Sequence, residues 1–231
     1  MERLVKGTFA LMLGLSAAVI SCEPTPEVVT TIRGSEYFPL QVGHYLLYDV
    51  DSTHISLNIE SNFKFQLRMT VTGSFQNSGG NTTYVMQREK RADASGEWTP
   101  AGTWSAWVDA RNAVLVEGNE RFIRLQFPIN TGNQWNGNAM NSVGGDDFCD
   151  DKPCDIYAIS AVEPDILVIH GDDKDLLVKY DARTETYRKD IGLVDKEMTI
   201  LEYCTSQDCF GKQFVNEGIR YRQTLIGNGQ I

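Results

Sequence analysis

The fold of this chain is decided by residues 63–71, FKFQLRMTV, where apolar side chains occupy every odd position and polar ones lie between them. Successive side chains of a β-strand point to opposite faces of the sheet. This period of two therefore predicts a strand with one buried face and one wet face. No segment after residue 22 has the apolar spacing of a long amphipathic helix, so strands are expected to dominate.

Similar strand patterns follow along the chain, separated by Pro and Gly-Asp clusters that are typical of turns. Gly118-Asn119 suits the tight turn of a hairpin between two of them. The segments are 82–88, 103–110, 114–116, 121–127, 156–162, 166–170, 176–180, 193–203 and 213–226. We predict an all-β fold, in which an antiparallel meander forms a curled sheet, a partly open barrel or a sandwich.

Composition and charge exclude two broad classes of protein. The chain has 231 residues, of which 42% are hydrophobic, so it has the apolar mass for a folded core and is not disordered as a whole. Its 21 basic and 31 acidic residues give a formal net charge of −10. Nucleic-acid binding is not expected, because it needs clustered Lys and Arg.

The N-terminus is predicted to be a signal peptide, residues 1–21. Arg3 and Lys6 precede an apolar run from Phe9 to Ile20, which is too short to span a bilayer. Val19-Ile20-Ser21-Cys22 resembles the lipobox of bacterial lipoproteins, in which the Cys is acylated and becomes the first mature residue. The resemblance implies a lipid anchor at Cys22. Residue 23 is Glu, not the Asp that favours the inner membrane in some bacteria, so we expect an outer-membrane location.

We predict a tether at residues 22–36 and a single β-rich domain at 37–231. The tether contains two prolines and no apolar period, as extended linkers do. Within the domain, Phe38-Pro39-Leu40-Gln41-Val42-Gly43 is echoed by Phe127-Pro128-Ile129-Asn130-Thr131-Gly132. In each, Pro fixes an extended backbone and Gly permits a turn into a strand, which suggests two related halves.

The opening of the domain resembles a group of uncharacterised Bacteroidota lipoproteins. Those proteins carry a "YFPL..G..W.Y" motif soon after the lipidated Cys and a "GLV..E" strand later. Here the matching residues are Tyr37-Phe38-Pro39-Leu40, Gly43 and Tyr48, and then Gly192-Leu193-Val194 with Glu197. The chain departs from the motif at Leu46, where the family has Trp. The resemblance implies a β-rich envelope lipoprotein and no defined reaction.

Four cysteines remain beside Cys22, and they form two local pairs: Cys149 with Cys154, and Cys204 with Cys209. The envelope outside the inner membrane is oxidising, so we expect a disulfide in each pair. A four-thiolate zinc site is the alternative that the two C-x4-C elements leave open.

No catalytic arrangement is evident in the sequence. There is no G-x-S-x-G or S-x-x-K motif, and the candidate bases are only three histidines, His44, His54 and His170. Two acidic groups could supply oxygen ligands to Ca²⁺, but neither has EF-hand spacing. They are Asp146, Asp147, Asp150, Asp151 and Asp155, and then Asp172, Asp173 and Asp175.

Three functions are therefore weighed. The leading hypothesis is a non-enzymatic, lipid-anchored envelope protein that binds or scaffolds a protein or glycan, with no cofactor and no metal. The second is a periplasmic carrier that holds a lipid or acyl chain in an apolar cavity walled by Phe63, Phe65 and Leu67. The third is a hydrolase that acts on polysaccharide or peptide.

Overall fold

The structure, a computed structural model of the chain, describes residues 34–143, 147–149 and 152–231. Within these ranges the side chains of 147–149, 152–154 and 172–173 are not described. The predicted signal peptide, Cys22 and most of the predicted tether lie outside the described residues, as does the predicted Cys149–Cys154 bond. No helix in the described ranges is long and apolar enough to cross a lipid bilayer.

Strands account for almost all regular structure, and the described residues include no helix beyond one 3₁₀ turn at Ser35–Tyr37. The all-β prediction is confirmed. The strands are β1 His44–Ser56, β2 Ile59–Gln76, β3 Thr82–Arg91, β4 Thr99–Val108, β5 Asn112–Glu117, β6 Glu120–Gln126, β7 Gln134–Asn136, β8 Asp147–Cys149, β9 Lys152–Cys154, β10 Ile156–Val162, β11 Ile166–Asp175, β12 Lys179–Arg188, β13 Gly192–Tyr203 and β14 Val215–Gln230.

Twelve strands form one antiparallel sheet that is nearly closed into a barrel, while β8 and β9 make a separate hairpin. The order is β6-β5-β4-β3-β2-β1-β14-β13-β12-β11-β10-β7, so the first and last strands of the chain pair with each other. The two edge strands, β6 and β7, meet at a seam. There the Ile123 amide donates to the Gly137 carbonyl at 2.9 Å, and the Trp135 indole donates to the Ile123 carbonyl at 3.0 Å. The predicted meander thus takes the form of a partly open barrel.

The two Phe-Pro segments make the same turn. Gly43 and Gly132 have φ of 91° and 86°, a region that favours glycine. In the first turn the His44 amide donates to the Gln41 carbonyl at 3.0 Å. In the second the Asn133 amide donates to the Asn130 carbonyl at 3.2 Å. The segments differ at the proline, since the Phe127–Pro128 peptide bond is cis. One segment leads into β1 and the other into β7, and each half of the chain supplies six neighbouring strands to the sheet.

The hairpin predicted around Gly118-Asn119 is confirmed, but one predicted strand is wrong. Gly118 and Asn119 have φ of 57° and 79°, as a type I′ turn requires. Residues 176–178, predicted as part of a strand, form the turn between β11 and β12. The true strand β12 was missed because its alternate positions carry Asp181, Arg183 and Glu185 instead of apolar residues.

Two apolar clusters form the core of the barrel. The first joins β1 to β5 and contains Tyr48, Val50, Leu67, Met69, Val71, Met86, Ala106 and Leu115. The second joins β5–β7 to β10–β12 and contains Tyr37, Ala113, Ile123, Leu125, Phe127, Ile129, Trp135, Ile159, Leu167, Ile169 and Tyr187. Phe38 packs against both clusters. The segment that carries the Tyr-Phe-Pro-Leu motif therefore bridges the two halves of the core.

One end of the barrel extends beyond the rest. The pairing of β2 with β3 begins only at Gln66, so the first part of β2 projects together with its neighbours β1, β14 and β13. We call this the projecting end and the opposite end the base. The first described residues contact the base. There the amide of Asp190, in the turn between β12 and β13, donates to the Glu36 carbonyl at 2.8 Å. Turns at the projecting end expose apolar side chains, among them Leu57 and Leu177.

Trp135→Phe is expected to weaken the seam. The substitution removes a buried hydrogen bond to the Ile123 carbonyl and leaves that oxygen without its partner, at a cost of about 1–3 kcal/mol. Urea denaturation measures the free energy of unfolding. Trp107→Phe is the control, because this half-buried indole makes no hydrogen bond among the described residues. Equal losses in the two variants would show that the seam bond contributes nothing specific.

Candidate functional site

A cavity of about 360 Å³ lies inside the barrel. Its wall is mainly apolar, and the apolar residues include Phe38, Leu40, Leu46, Leu67, Met69, Met86, Trp104, Leu115, Leu193, Met198 and Ile219. Its polar residues are Tyr48, Arg88, Glu117, Arg124, Glu185, Tyr187, Lys196, Tyr221 and Gln223. An apolar chamber with a few convergent polar groups is the usual form of a small-molecule site.

The base of the cavity is closed by the segment Phe38-Pro39-Leu40 and by Ile191–Leu193. The Tyr37 hydroxyl fixes this segment by donating to the Glu163 carbonyl at 3.2 Å. The Tyr48 hydroxyl, in the buried wall, donates to the Leu193 carbonyl at 2.9 Å. The segment 37–40, which carries the Tyr-Phe-Pro-Leu motif, thus closes the base of the cavity.

Toward the projecting end the cavity adjoins a wider depression of about 640 Å³, and Ile219 borders both spaces. Ile219 pairs with Ile200 on β13, and Met198 lies two residues away on the same face of that strand. Ile200 and Ile59 also line the depression. Ile219, Ile200 and Met198 therefore form an apolar strip that leads from the depression into the barrel. The depression also has polar lining residues, namely His54, Ser56, Ser61, Glu202 and Glu217.

Of the three side chains predicted to wall a cavity, only Leu67 does so. Phe65 is half-buried and packs against the first core cluster. Phe63 is 50% exposed and meets the His54 ring edge-on at 5.2 Å. The prediction for Phe63 is wrong because β2 has no β3 partner at this point and runs along the projecting end.

A group of ion pairs centred on Glu185 crosses the cavity wall. Its carboxylate lies 2.9 Å from Lys196 and 3.7 Å from Arg124, and it accepts a hydrogen bond from the Tyr187 hydroxyl at 2.6 Å. Burial alone would raise the pKa of Glu185, but Lys196, Arg124 and the Tyr187 hydroxyl hold it at about 2. Arg124 also pairs with Glu117. The positive charges of Lys196 and Arg124 are thus balanced by the negative charges of Glu185 and Glu117.

Arg88 is the exception in this wall. Its guanidinium carbon lies 3.6 Å from the centre of the Trp104 ring, a cation–π contact. Its Nε is buried without a hydrogen-bond partner, and Arg88 forms no ion pair within the described residues. Burial lowers the pKa of Arg88. The charged residues of the wall are then three cations and two anions, so one positive charge is in excess.

A second ion-pair group binds one of the predicted acidic residues. Arg183 donates two hydrogen bonds to Asp181, at 2.8 and 2.7 Å, and lies 3.3 Å from Asp155. Asp155 also accepts from the Asn138 amide at 3.1 Å. This carboxylate is therefore committed to a structural role. Asp172 and Asp173, and the predicted acidic residues before Asp155, have no described side chains.

The three histidines are dispersed. His44 and His54 lie on the same strand, β1, and their ten-residue separation corresponds to about 33 Å. His170 lies on β11, four strands away from β1 in the sheet. No pair of these candidate bases is brought together.

The cysteine prediction is confirmed for one pair. Cys204 and Cys209 form a disulfide with a Cα–Cα distance of 5.8 Å, in the loop between β13 and β14. Since these sulfurs are bonded to each other, the four-thiolate zinc alternative is excluded in this structure. Within the described ranges no group of three or more His, Cys, Asp or Glu residues could hold a metal ion.

The charged part of the cavity wall was not predicted from the sequence. Arg88 follows Met86 by two residues, so the two side chains lie on the same face of their strand. This alternation could have predicted that Arg88 points into the barrel. On β12 the charged residues themselves have a period of two, at Asp181, Arg183 and Glu185.

The charge of Glu185 is expected to make stability depend on acid pH. Its folded pKa of about 2 is below the ordinary value of 4.5, so the carboxylate stabilises the fold above pH 4.5 and loses this effect as the pH falls toward 2. At pH 7, Glu185→Gln leaves Lys196 and Arg124 with an uncharged neighbour and should cost about 3–5 kcal/mol. The deficit should shrink between pH 4.5 and 2 in urea titrations.

Glu197→Gln is the control, because Glu197 pairs with Arg222 at 2.9 Å on an exposed face. It should change the free energy of unfolding by less than about 1 kcal/mol. A deficit of Glu185→Gln that is the same at every pH would contradict the role of its charge.

Comparisons with known proteins identify no family. No protein-family model matches the chain, and no curated protein matches it. Among solved structures, it is similar to a "putative exported protein with YmcC-like fold" from Bacteroides fragilis. The two share 11% sequence identity, the TM-score is 0.38, and the match covers 83% of this chain and 98% of the other. A likeness of this degree supports no statement about function.

Proposed function

We propose that this protein is an envelope lipoprotein whose barrel binds a small, largely apolar ligand. The observation that carries the proposal is the cavity of about 360 Å³, which is walled mainly by apolar side chains from β1 to β5, β13 and β14. Ligand sites in proteins commonly measure ~300–1,000 Å³. The geometry favours the carrier among the three functions that we weighed.

The arrangement of the two ends supports binding from one direction. The base is closed by Phe38 and Leu40, whereas at the other end the wall continues into the depression lined by Ile200 and Ile219. An apolar ligand that follows this face leaves water gradually, and burial of its surface supplies about 25 cal/mol per Å².

The anchor belongs to the same proposal. The lipobox-like sequence ending at Cys22 supports acylation of that residue. The first described residues, Gly34 and the turn Ser35–Tyr37, lie at the base, the end opposite the proposed access path. The outer-membrane location and a protein or glycan partner stay predictions, as does the absence of enzymatic activity.

Binding can be tested with N-phenyl-1-naphthylamine, an uncharged amphiphile whose fluorescence rises in apolar surroundings. We expect saturable enhancement with the purified protein, and native mass spectrometry should detect a one-to-one complex. Met198→Trp should reduce affinity at least tenfold, because Met198 lines the cavity where a larger ring would fill it.

Thr199→Trp is the matched control, since the next residue of the same strand faces the opposite side of the sheet. It should bind the dye as the unaltered protein does. Absence of saturable binding, or equal loss in both variants, would overturn the proposal that the cavity holds the ligand.

The anchor has an independent test. In cells fed an alkyne analogue of palmitate, the full chain should become labelled and should sediment with membranes. Cys22→Ser should abolish both the labelling and the sedimentation, because no other acceptor is expected. Cys204→Ser is the control and should be labelled normally. Labelling of the Cys22→Ser protein would contradict anchoring at this residue.

A further inference from the structure

We infer that the ligand carries a single anionic head group of the carboxylate type, which the Arg88 guanidinium binds inside the barrel. This inference rests on the proposed function, since it names the class of ligand for the same cavity. It identifies the ligand as a long-chain acid, with the chain lying along the apolar wall and the acid group at Arg88.

The first support is that the other charges of the wall already have partners. Lys196 and Arg124 share Glu185, and Arg124 also pairs with Glu117. Binding a second anion at these residues would compete with a built ion-pair group. Arg88 has no carboxylate within ion-pair distance among the described residues, although the charge of Glu117 in the same wall favours its ionised form. An incoming anion therefore displaces no ion pair of Arg88.

The second support is the geometry of the Arg88–Trp104 contact. With the guanidinium carbon 3.6 Å from the ring centre, the ring covers one face of the guanidinium plane. The N–H donors lie in that plane and point past the ring edge, so stacking does not use them, and the buried Nε has no hydrogen-bond partner. A carboxylate can accept two of these donors in a bidentate pair. The contact therefore orients the guanidinium without using its hydrogen-bonding capacity.

The third support is the surroundings of Arg88. In the sheet its neighbours are Met69 on β2 and Gly102 on β4, so one neighbour is apolar and the other has no side chain. Leu46, which pairs with Met69, also lines the cavity. A buried Nε without a partner is costly, and an anion at this point would relieve that cost. The apolar chain of the same ligand would contact Leu46 and Met69.

The test compares three ligands of equal chain length at pH 8: hexadecanoate, hexadecan-1-ol and hexadecylamine. Each displaces N-phenyl-1-naphthylamine from the purified protein. We expect hexadecanoate to bind at least tenfold more tightly than the alcohol, and the amine to bind least. Arg88→Gln should reduce the acid-to-alcohol ratio to below threefold and leave the affinity for the alcohol within about twofold.

Arg91→Gln is the matched control. Arg91 also stacks on an indole, that of Trp98, at 4.4 Å, but on the outer face of the same strand. It should keep the preference for the acid. If Arg88→Gln fails to fold by circular dichroism, the three-ligand comparison on the unaltered protein still tests the anionic head group. Arg88→Lys then tests the residue, and it should lower the acid-to-alcohol ratio because a lysine cannot form the bidentate pair. An unchanged ratio in Arg88→Lys would overturn the assignment of Arg88.

The outcomes separate the two levels of the proposal. If neither the dye nor any of the three long-chain ligands binds, the proposed function itself is overturned. Binding of the dye with equal affinities for acid and alcohol would overturn the anionic head group and leave the cavity as an apolar site. A preference for the acid that survives Arg88→Gln would overturn the assignment of Arg88.

Discussion

The width of a twelve-stranded sheet is the constraint on which the rest of this structure depends. A closed sheet of about eight strands has an interior that side chains can just fill, and a wider one encloses more space. Here two apolar clusters occupy the interior, and Phe38 is inserted between them from the N-terminal segment. A cavity of about 360 Å³ remains inside the barrel. The proposed site is thus a consequence of the strand number, which packing only partly offsets.

Charged residues in that interior impose a second requirement, since a buried ion is costly unless it is paired. Glu185 meets it by joining Lys196, Arg124 and the Tyr187 hydroxyl, and these contacts keep it ionised at very low pH. Arg88 meets it only in part, through the Trp104 ring. The contrast separates charges that hold the barrel together from the one that we propose binds the ligand. In this proposal stability and binding depend on different residues of one wall.

Much of the fold could be predicted because strand periodicity is a local property. The alternation in residues 63–71, the Gly118-Asn119 turn and the meander were all found in this way. The prediction failed where the inward face of a strand is charged, as in β12. The error for Phe63 has a different origin, because exposure there depends on where the neighbouring strand ends. Both errors concern the surroundings of a side chain, and these depend on residues that are distant in the sequence.

The sequence by itself determined the all-β class and the local pairing of Cys204 with Cys209, because alternation and short separation act within a few residues. It also supplied the lipobox-like signal at Cys22, which local sequence alone carries. Only the tertiary structure decided that β1 and β14 join the two halves of the sheet, that β6 and β7 meet at the seam, and that Arg88 and Glu185 line one cavity. Arg88 and Glu185, almost a hundred positions apart, come to line the same cavity only when the sheet curls, and no local pattern records that closure.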